Sequence, residues 1–330
     1  WDERFASASN RPGLLRDFGS TGRPWTIASV NRLRLSGMLR QATYGLKFIL
    51  ERRIFHRKTP LICGLTLTDR CNLQCRHCRI ADRRKPDLAF DEAIRAMNSF
   101  YDEGGRTLYL QGGEPFLWQD EPYNLEDIVH YSRNKGFYTT IIYTNGTFPL
   151  DTSANVIFVS MDGLQATNDM LRGATFEKIL SNIRDSRHPS IYINYTINNF
   201  SKKDIRPFCE FIASIDKICG VFFYFHTPYY GRDELYIDEE ERRRILALLL
   251  KYKKRYKILN SHAGLITAGK NDWRRPLDLC RVYENGCMYE CCRYPGNAEL
   301  CRNCGYLSYA EIDQTLKLKP SAIVNALKYF

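Results

Sequence analysis

Seven of the twelve cysteines fall in two tight groups, Cys71, Cys75 and Cys78, then Cys291, Cys292, Cys301 and Cys304. Close spacing of this kind, with no secretion signal, reads as metal ligation in a reducing compartment rather than as disulfides. The first group lies in Thr68-Asp69-Arg70-Cys71-Asn72-Leu73-Gln74-Cys75-Arg76-His77-Cys78, a C-x3-C-x2-C loop. Three thiolates on one loop face a single [4Fe–4S] cubane and leave its fourth iron open, as a catalytic cluster requires. Closed structural zinc wants four ligands, and His77 is the only further ligand nearby. Near the C-terminus, Cys280 and Cys291 on a hairpin with the Cys301-Arg302-Asn303-Cys304 loop offer four thiolates to one cluster, or equally to tetrahedral zinc. Cys287 and Cys292 are spare, so which of Cys287, Cys291 and Cys292 ligate stays open. Cys63, Cys209 and Cys219 sit in apolar stretches and read as buried core.

Other polar residues recur where short apolar runs end. Gln111-Gly112-Gly113-Glu114-Pro115 follows the second such run: paired glycines admit close backbone approach, and the acid accepts hydrogen bonds from an ammonium. Ser160-Met161-Asp162-Gly163 and Arg172-Gly173 follow the fourth, Asn145 ends the third, Asn194 lies in the fifth, and His226 and Tyr229 follow the sixth. The bland readings are turns for Asn145 and Asp162-Gly163 and packed core for the aromatic run.

Elements must bring these residues together. Strands are expected over Ile62–Thr68, Thr107–Leu110, Tyr138–Thr144, Asn155–Ser160, Ile191–Ile197 and Val221–Phe225, with helices over Asp91–Tyr101, Leu125–Lys135, Phe176–Asp185, Asp204–Ser214 and Asp238–Lys257. Alternation of this kind predicts a parallel sheet of βα units, an α/β partial (β/α)6 TIM-like barrel with its chemistry at the C-terminal strand ends. The turn-rich segment from residue 277 reads as a small Cys-rich subdomain closed by a helix after Pro320. The expected division is 1–59 for a basic lead-in, 60–276 for the barrel and 277–330 for the appendage.

The cysteine loop after the first strand, the GGEP run one βα unit later, and the Ser160, Asp162-Gly163 and Arg172-Gly173 pattern together resemble the radical S-adenosylmethionine superfamily. The resemblance runs from about Pro60 to about Gly305. It implies a [4Fe–4S] cluster on Cys71, Cys75 and Cys78 whose open iron chelates the methionyl group of S-adenosylmethionine. Reductive cleavage of that cofactor then yields a 5′-deoxyadenosyl radical that attacks an organic substrate. By resemblance His77 lies near the adenine, Gln111, Gly112, Gly113 and Glu114 near the amino group, and Ser160, Arg172, Asp162, Asn145 and Asn194 along the carboxylate or ribose. His226 and Tyr229 are the substrate-contact candidates. The later cysteines resemble a SPASM or twitch-like auxiliary cluster domain, with Cys280, Cys291, Cys301 and Cys304 as ligands of a second [4Fe–4S] cluster that carries away an electron in a net oxidation or bond-forming reaction. A one-electron reductant such as flavodoxin or ferredoxin is implied.

Composition bounds the remainder. At 330 residues, 44% hydrophobic and 26% charged, the chain folds with a real core, and no apolar run reaches the ~18 residues of a membrane span. A cytoplasmic protein is expected. Residues 1–60 hold twelve Lys/Arg against four acids, +8 of the net +11. Within them Leu35, Met38, Leu39, Ala42, Leu46, Ile49 and Leu50 recur at helical spacing from Ser29 to Phe55, either a helix docked on its own domain or one lying on a membrane surface. The substrate stays open among a lipid or isoprenoid, a peptide and a small metabolite. The rival function, a zinc-bound nucleic-acid module, fits poorly, because the surplus charge is segregated from the cysteines.

Overall fold

The computed structural model describes residues 43–78, 80, 83–275, 277–291 and 297–329. The lead-in, the start of the basic helix and Cys292 lie outside them. In chain order the helices are α1 (43–54), α2 (Phe90–Asp102), α3 (Leu125–Lys135), α4 (Gln165–Arg172), α5 (Phe176–Asp185), α6 (Ile205–Ala213), α7 (Glu239–Tyr252), α8 (His262–Lys270), α9 (Ala298–Arg302), α10 (Leu307–Leu316) and α11 (Pro320–Tyr329). The strands are β1 (Ile62–Thr66), β2 (Thr107–Gln111), β3 (Gln119–Asp120), β4 (Tyr123–Asn124), β5 (Thr139–Thr144), β6 (Val156–Ser160), β7 (Ile191–Ile197), β8 (Ile218–Phe225), β9 (Cys280–Glu284) and β10 (Cys287–Glu290).

Eight strands form one sheet in the order β10-β9-β1-β2-β5-β6-β7-β8. From β9 to β8 every pairing is parallel; the β9–β10 hairpin alone is antiparallel. One face of β1, β2 and β5 carries Cys63, Leu65, Leu108, Leu110 and Ile142 into a core with Met97 and Phe100 of α2 and Ile128 of α3. Fully burying such a side chain is worth roughly 1.5–3 kcal/mol, so the period-2 apolar pattern sets the register. The sheet curls: the Tyr143 side chain of β5 and the Tyr224 side chain of β8 come close enough to interact, although flat strands that far apart lie roughly 14 Å from one another. It does not close, because residues 257–259 and the Asn260 side chain cover the outer edge of β8, which blunts an otherwise unpaired strand.

Helix ends follow local chemistry. Asn124 and Asp127 form a reciprocal capping box at the start of α3, and Gly136 closes it at φ 108°. Asp238 caps α7 above three glutamates, where the helix dipole favours them.

The Cys-rich segment also extends the main sheet, since β9 pairs in parallel with β1 at Ile62↔Cys280. Helices α4, α8, α9 and α10 went unread. Cys63 and Cys209 are fully buried, whereas Cys219 is half-buried and donates to the Pro189 carbonyl at 3.6 Å. Among the described residues no helix is long and apolar enough to cross a membrane.

Candidate active site

The polar strand ends meet on one side of the sheet. Residues 68–78 leave β1 beside the glycine pair that leaves β2. Gly113 N–H donates to the Thr68 carbonyl at 2.6 Å and Glu114 N–H to the Arg70 carbonyl at 2.8 Å. A Cβ on Gly112 or Gly113 meets the backbone of Thr68, Asp69 or Arg70. What the glycines admit here is therefore the stem of the cysteine loop, pressed against the end of β2. Gln111 turns back to Thr66, its amide donating to Oγ1 at 3.3 Å.

Glu114 has no exposed surface. Its Oε1 accepts from Thr144 Oγ1 at 2.8 Å and from Phe116 N–H at 3.2 Å, and its Oε2 accepts from Asn145 N–H at 2.7 Å. Burial outweighs these donors and pushes the carboxyl up to about 7. Both oxygens are thus engaged inside the protein, where they hold the end of β5. Asn145, so fixed, aims its amide at Asn72 Oδ1 (2.9 Å) and at Cys71 Sγ (3.7 Å).

Asp162 is also sealed from solvent. Its Oδ1 accepts from Thr196 N–H at 2.6 Å and its Oδ2 from Arg172 Nε at 2.7 Å. Both carboxylate oxygens of Asp162 are thus engaged by protein donors, one of them from Arg172. Arg172 presents Nη1 to Cys75 Sγ at 4.0 Å. Burial works against its charge, yet Asp162 and Cys75 together hold its pKa above the ordinary value. Burial pushes the Cys75 thiol up to about 11 against the pull of Arg172, and raises Cys71 as well. Cys78 N–H donates to the Cys75 carbonyl at 3.0 Å and acts electrostatically on both other thiols.

His77 lies 3.8 Å from Asp162, but burial and then Arg172 bring its imidazole down to about 4, leaving it neutral at pH 7. Among the described residues its buried Nδ1 has no hydrogen-bond partner, and neither does the buried Asn194 Oδ1. Asn194 pairs in register with Ser160. Unmet buried polar atoms are costly and call for a ligand or water. His226, just past β8, lies 3.2 Å from Asp233, and burial lowers its pKa. Tyr229 is bridged to Gly231 beyond it.

Three ion pairs missed in the sequence brace the loop. Arg70 pairs with Asp87, and Arg83 bridges Asp69 and Glu284, two carboxylates that are almost wholly buried. Glu284 ends β9, so this bridge ties the first cysteine loop to the second cysteine region. Only long-range pairing brings these groups together, and no local signal marks it.

In the second region, Cys291 N–H donates to the Cys280 carbonyl at 2.9 Å. Arg275 feels Cys304, Cys301 and Cys291, and Tyr309 feels Cys280 and Cys291, so the four thiols surround common neighbours. Cys287 is exposed at the start of β10. The donors of Arg275 go to the Cys301 and Trp273 carbonyls and Asn271 Oδ1, and those of Arg242 go to the Asn303 and Cys304 carbonyls. Burial lowers both guanidinium pKa values.

Among the described residues no three His, Cys, Asp or Glu side chains converge on a single metal ion. A cubane instead takes one thiolate at each of several irons.

A parallel α/β sheet that gathers a cysteine loop, a glycine-rich turn and unmet polar atoms at its strand ends defines a cofactor-dependent enzyme fold. Residues 65–212 match the Radical SAM superfamily, and the chain contains a radical SAM domain. The cofactors of that family are a [4Fe–4S] cluster and S-adenosylmethionine. The chain is 28% identical over 212 residues to the Fe-coproporphyrin III synthase of Methanosarcina barkeri, covering 58% of this chain and 51% of that protein. It is 27% identical over 255 residues to the pre-heme d1 synthase of Dinoroseobacter shibae, covering 67% and 59%. It therefore spans about half the length of the curated relatives it matches. In fold it is similar to Streptococcus suis SuiB bound to its precursor peptide SuiA, with a TM-score of 0.59 and 14% identity over 89% of this chain and 72% of that one.

Proposed function

We propose that this chain oxidises an organic substrate by radical chemistry begun at the Cys71, Cys75 and Cys78 loop and completed with a second [4Fe–4S] cluster on Cys280, Cys291, Cys301 and Cys304. The observation that carries the reading is the second cysteine region itself, where Cys280, Cys291, Cys301 and Cys304 share Arg275 and Tyr309 as neighbours and where, among the described residues, the donors of Arg242 and Arg275 reach carbonyl and amide oxygens. Such guanidinium groups complement an anionic metal–thiolate centre. When bound, the first cluster and S-adenosylmethionine supply a 5′-deoxyadenosyl radical.

The chain's own residues bind and orient. Asn145 and Arg172 direct donors at Cys71 and Cys75 and favour their ligating, deprotonated form. Neutral His77, Ser160 and Asn194 offer polar atoms along the adenosyl portion, and the Gly112–Gly113 turn sets the depth of the loop. Glu114 and Asp162 act indirectly, by fixing Asn145 and Arg172. His226, with Asp233, stands at the mouth toward the substrate.

The relatives' names make a haem-type tetrapyrrole the first substrate to test. The structural likeness to a peptide-bound protein makes a peptide the second. A flavodoxin or ferredoxin is proposed as electron donor. The outer face of α1, with Leu46, Leu50, Ile54 and Phe55 exposed beside Lys47 and Arg57, supports contact with an anionic membrane, where a lipid substrate is also reached.

The test is anaerobic reconstitution followed by iron analysis and incubation with S-adenosylmethionine, reductant and each substrate class. The reading expects about eight irons, formation of 5′-deoxyadenosine and a product lighter by hydrogen or by a lost carboxyl group. A colourless protein holding only zinc would overturn it.

A further inference from the structure

Strand β1 lies between β2 and β9, and its middle residue is Gly64, paired with Tyr109 on one side and Val282 on the other. A Cβ at Gly64 falls inside the Tyr109 ring. The glycine is the gap through which the tyrosine leans from β2 across β1 toward β9. There its hydroxyl lies 3.7 Å from Cys280 Sγ, its one hydrogen-bond partner among the described residues. The neighbouring Tyr309 hydroxyl also lies within hydrogen-bonding reach of Cys280, but it donates its one proton to the Cys291 carbonyl at 3.0 Å, which leaves the Tyr109 proton to point at the Cys280 sulfur.

We infer that Tyr109 is a positioning residue that donates a hydrogen bond to the Cys280 thiolate of the auxiliary cluster and raises its reduction potential. The inference rests on the auxiliary-cluster reading above. Once Cys280 ligates iron it carries no proton and can only accept, which makes the phenol the donor. A donor at a cluster sulfur stabilises the more negative, reduced state over the oxidised one, one of the ordinary controls on iron–sulfur potentials. The direction suits a centre that receives an electron from an oxidised substrate.

The test is a redox titration of the reconstituted enzyme followed by electron paramagnetic resonance, with wild type and Tyr109→Phe compared. The auxiliary signal is the one unaffected by S-adenosylmethionine. The variant keeps its ring and should keep about eight irons. Its auxiliary midpoint should move to a more negative potential, by about tenfold in the reduced-to-oxidised ratio, or about 59 mV for one electron. In wild type a proton that exchanges in deuterium oxide should couple to that cluster, and Tyr109→Phe should lose it. Eight irons with an unchanged midpoint overturn the role of Tyr109 and leave the auxiliary cluster standing. Four irons with one zinc overturn both. Should the variant lose iron, the exchangeable coupling in wild type decides, and its absence overturns the inference.

Discussion

Arg172 faces two acids at once, the Asp162 carboxyl and the Cys75 thiol, and its position shows how site residues divide between touching a ligand and aiming something that does. Arg172→Ala strands a buried carboxylate, at an expected cost of about 3–5 kcal/mol, whereas adding Asp162→Asn should recover part of it. Anaerobic denaturant unfolding measures both, and a double variant no more stable than the single one would refute the pairing. Replacing Cys71, Cys75 and Cys78 together with Ala should abolish 5′-deoxyadenosine formation while leaving about four irons in the second region; product formation in that variant would remove the loop from the reaction. Both motifs were legible in sequence, but the hydrogen-bond partners of Glu114 and Asp162 were not. Their partners, Thr144, Asn145 and Thr196, stand on other strands, and only the parallel register brings those donors within reach.

At the scale of elements, apolar period made β1, β2 and β5 to β8 legible, along with α2, α3 and α5 to α7, to within a few residues. Helix α8 escaped because Gly264 and Gly269 interrupt its short apolar pattern. Folded, the first of these glycines is needed: a Cβ at Gly264 collides with the Glu311 carboxylate of α10, whose Oε1 accepts from Ser261 N–H at 2.8 Å at the head of α8. Burial pushes Glu311 up to about 7 despite these donors. The folded protein keeps this proton up to about pH 7, whereas the unfolded chain releases it near the ordinary carboxylate value. Stability from this group is therefore present below about pH 4.5 and is lost as pH rises to 7, by ~3 kcal/mol at most. Glu311→Gln should flatten that part of the stability profile and raise the melting temperature at pH 8. An unchanged slope between pH 5 and 7 would show that the carboxyl is not buried as described.

At the scale of the whole molecule, α1 reconciles two readings of the basic segment. Phe48 is buried, and Tyr44 and Ile49 pack with it against the core of Cys280 and Tyr309, so the helix is docked. Its other edge keeps Leu46, Leu50, Ile54 and Phe55 exposed. Vesicles containing phosphatidylserine should sediment the protein at low salt and release it at high salt, since each basic residue near such a surface adds about 1 kcal/mol. Leu46→Asp with Ile54→Asp should prevent this without loss of iron, and no sedimentation of the unaltered protein at low salt would end the idea.

The place of β9 has a consequence for how the molecule is made. β1 emerges in translation well before β9: the strand that covers its outer edge and the Glu284 that completes the Arg83 bridge come about two hundred residues later, Arg83 and Glu284 being 201 positions apart. Until then the nascent chain has β1 bare along one side, an exposed template for mispairing. Arg83, which braces Asp69 at the root of the first cysteine loop, meanwhile has only one of its two carboxylates. Iron delivered during synthesis thus meets Cys71, Cys75 and Cys78 on a loop whose stem is still open, and iron delivered after release meets it braced. A ribosome paused just before residue 280 separates the two cases.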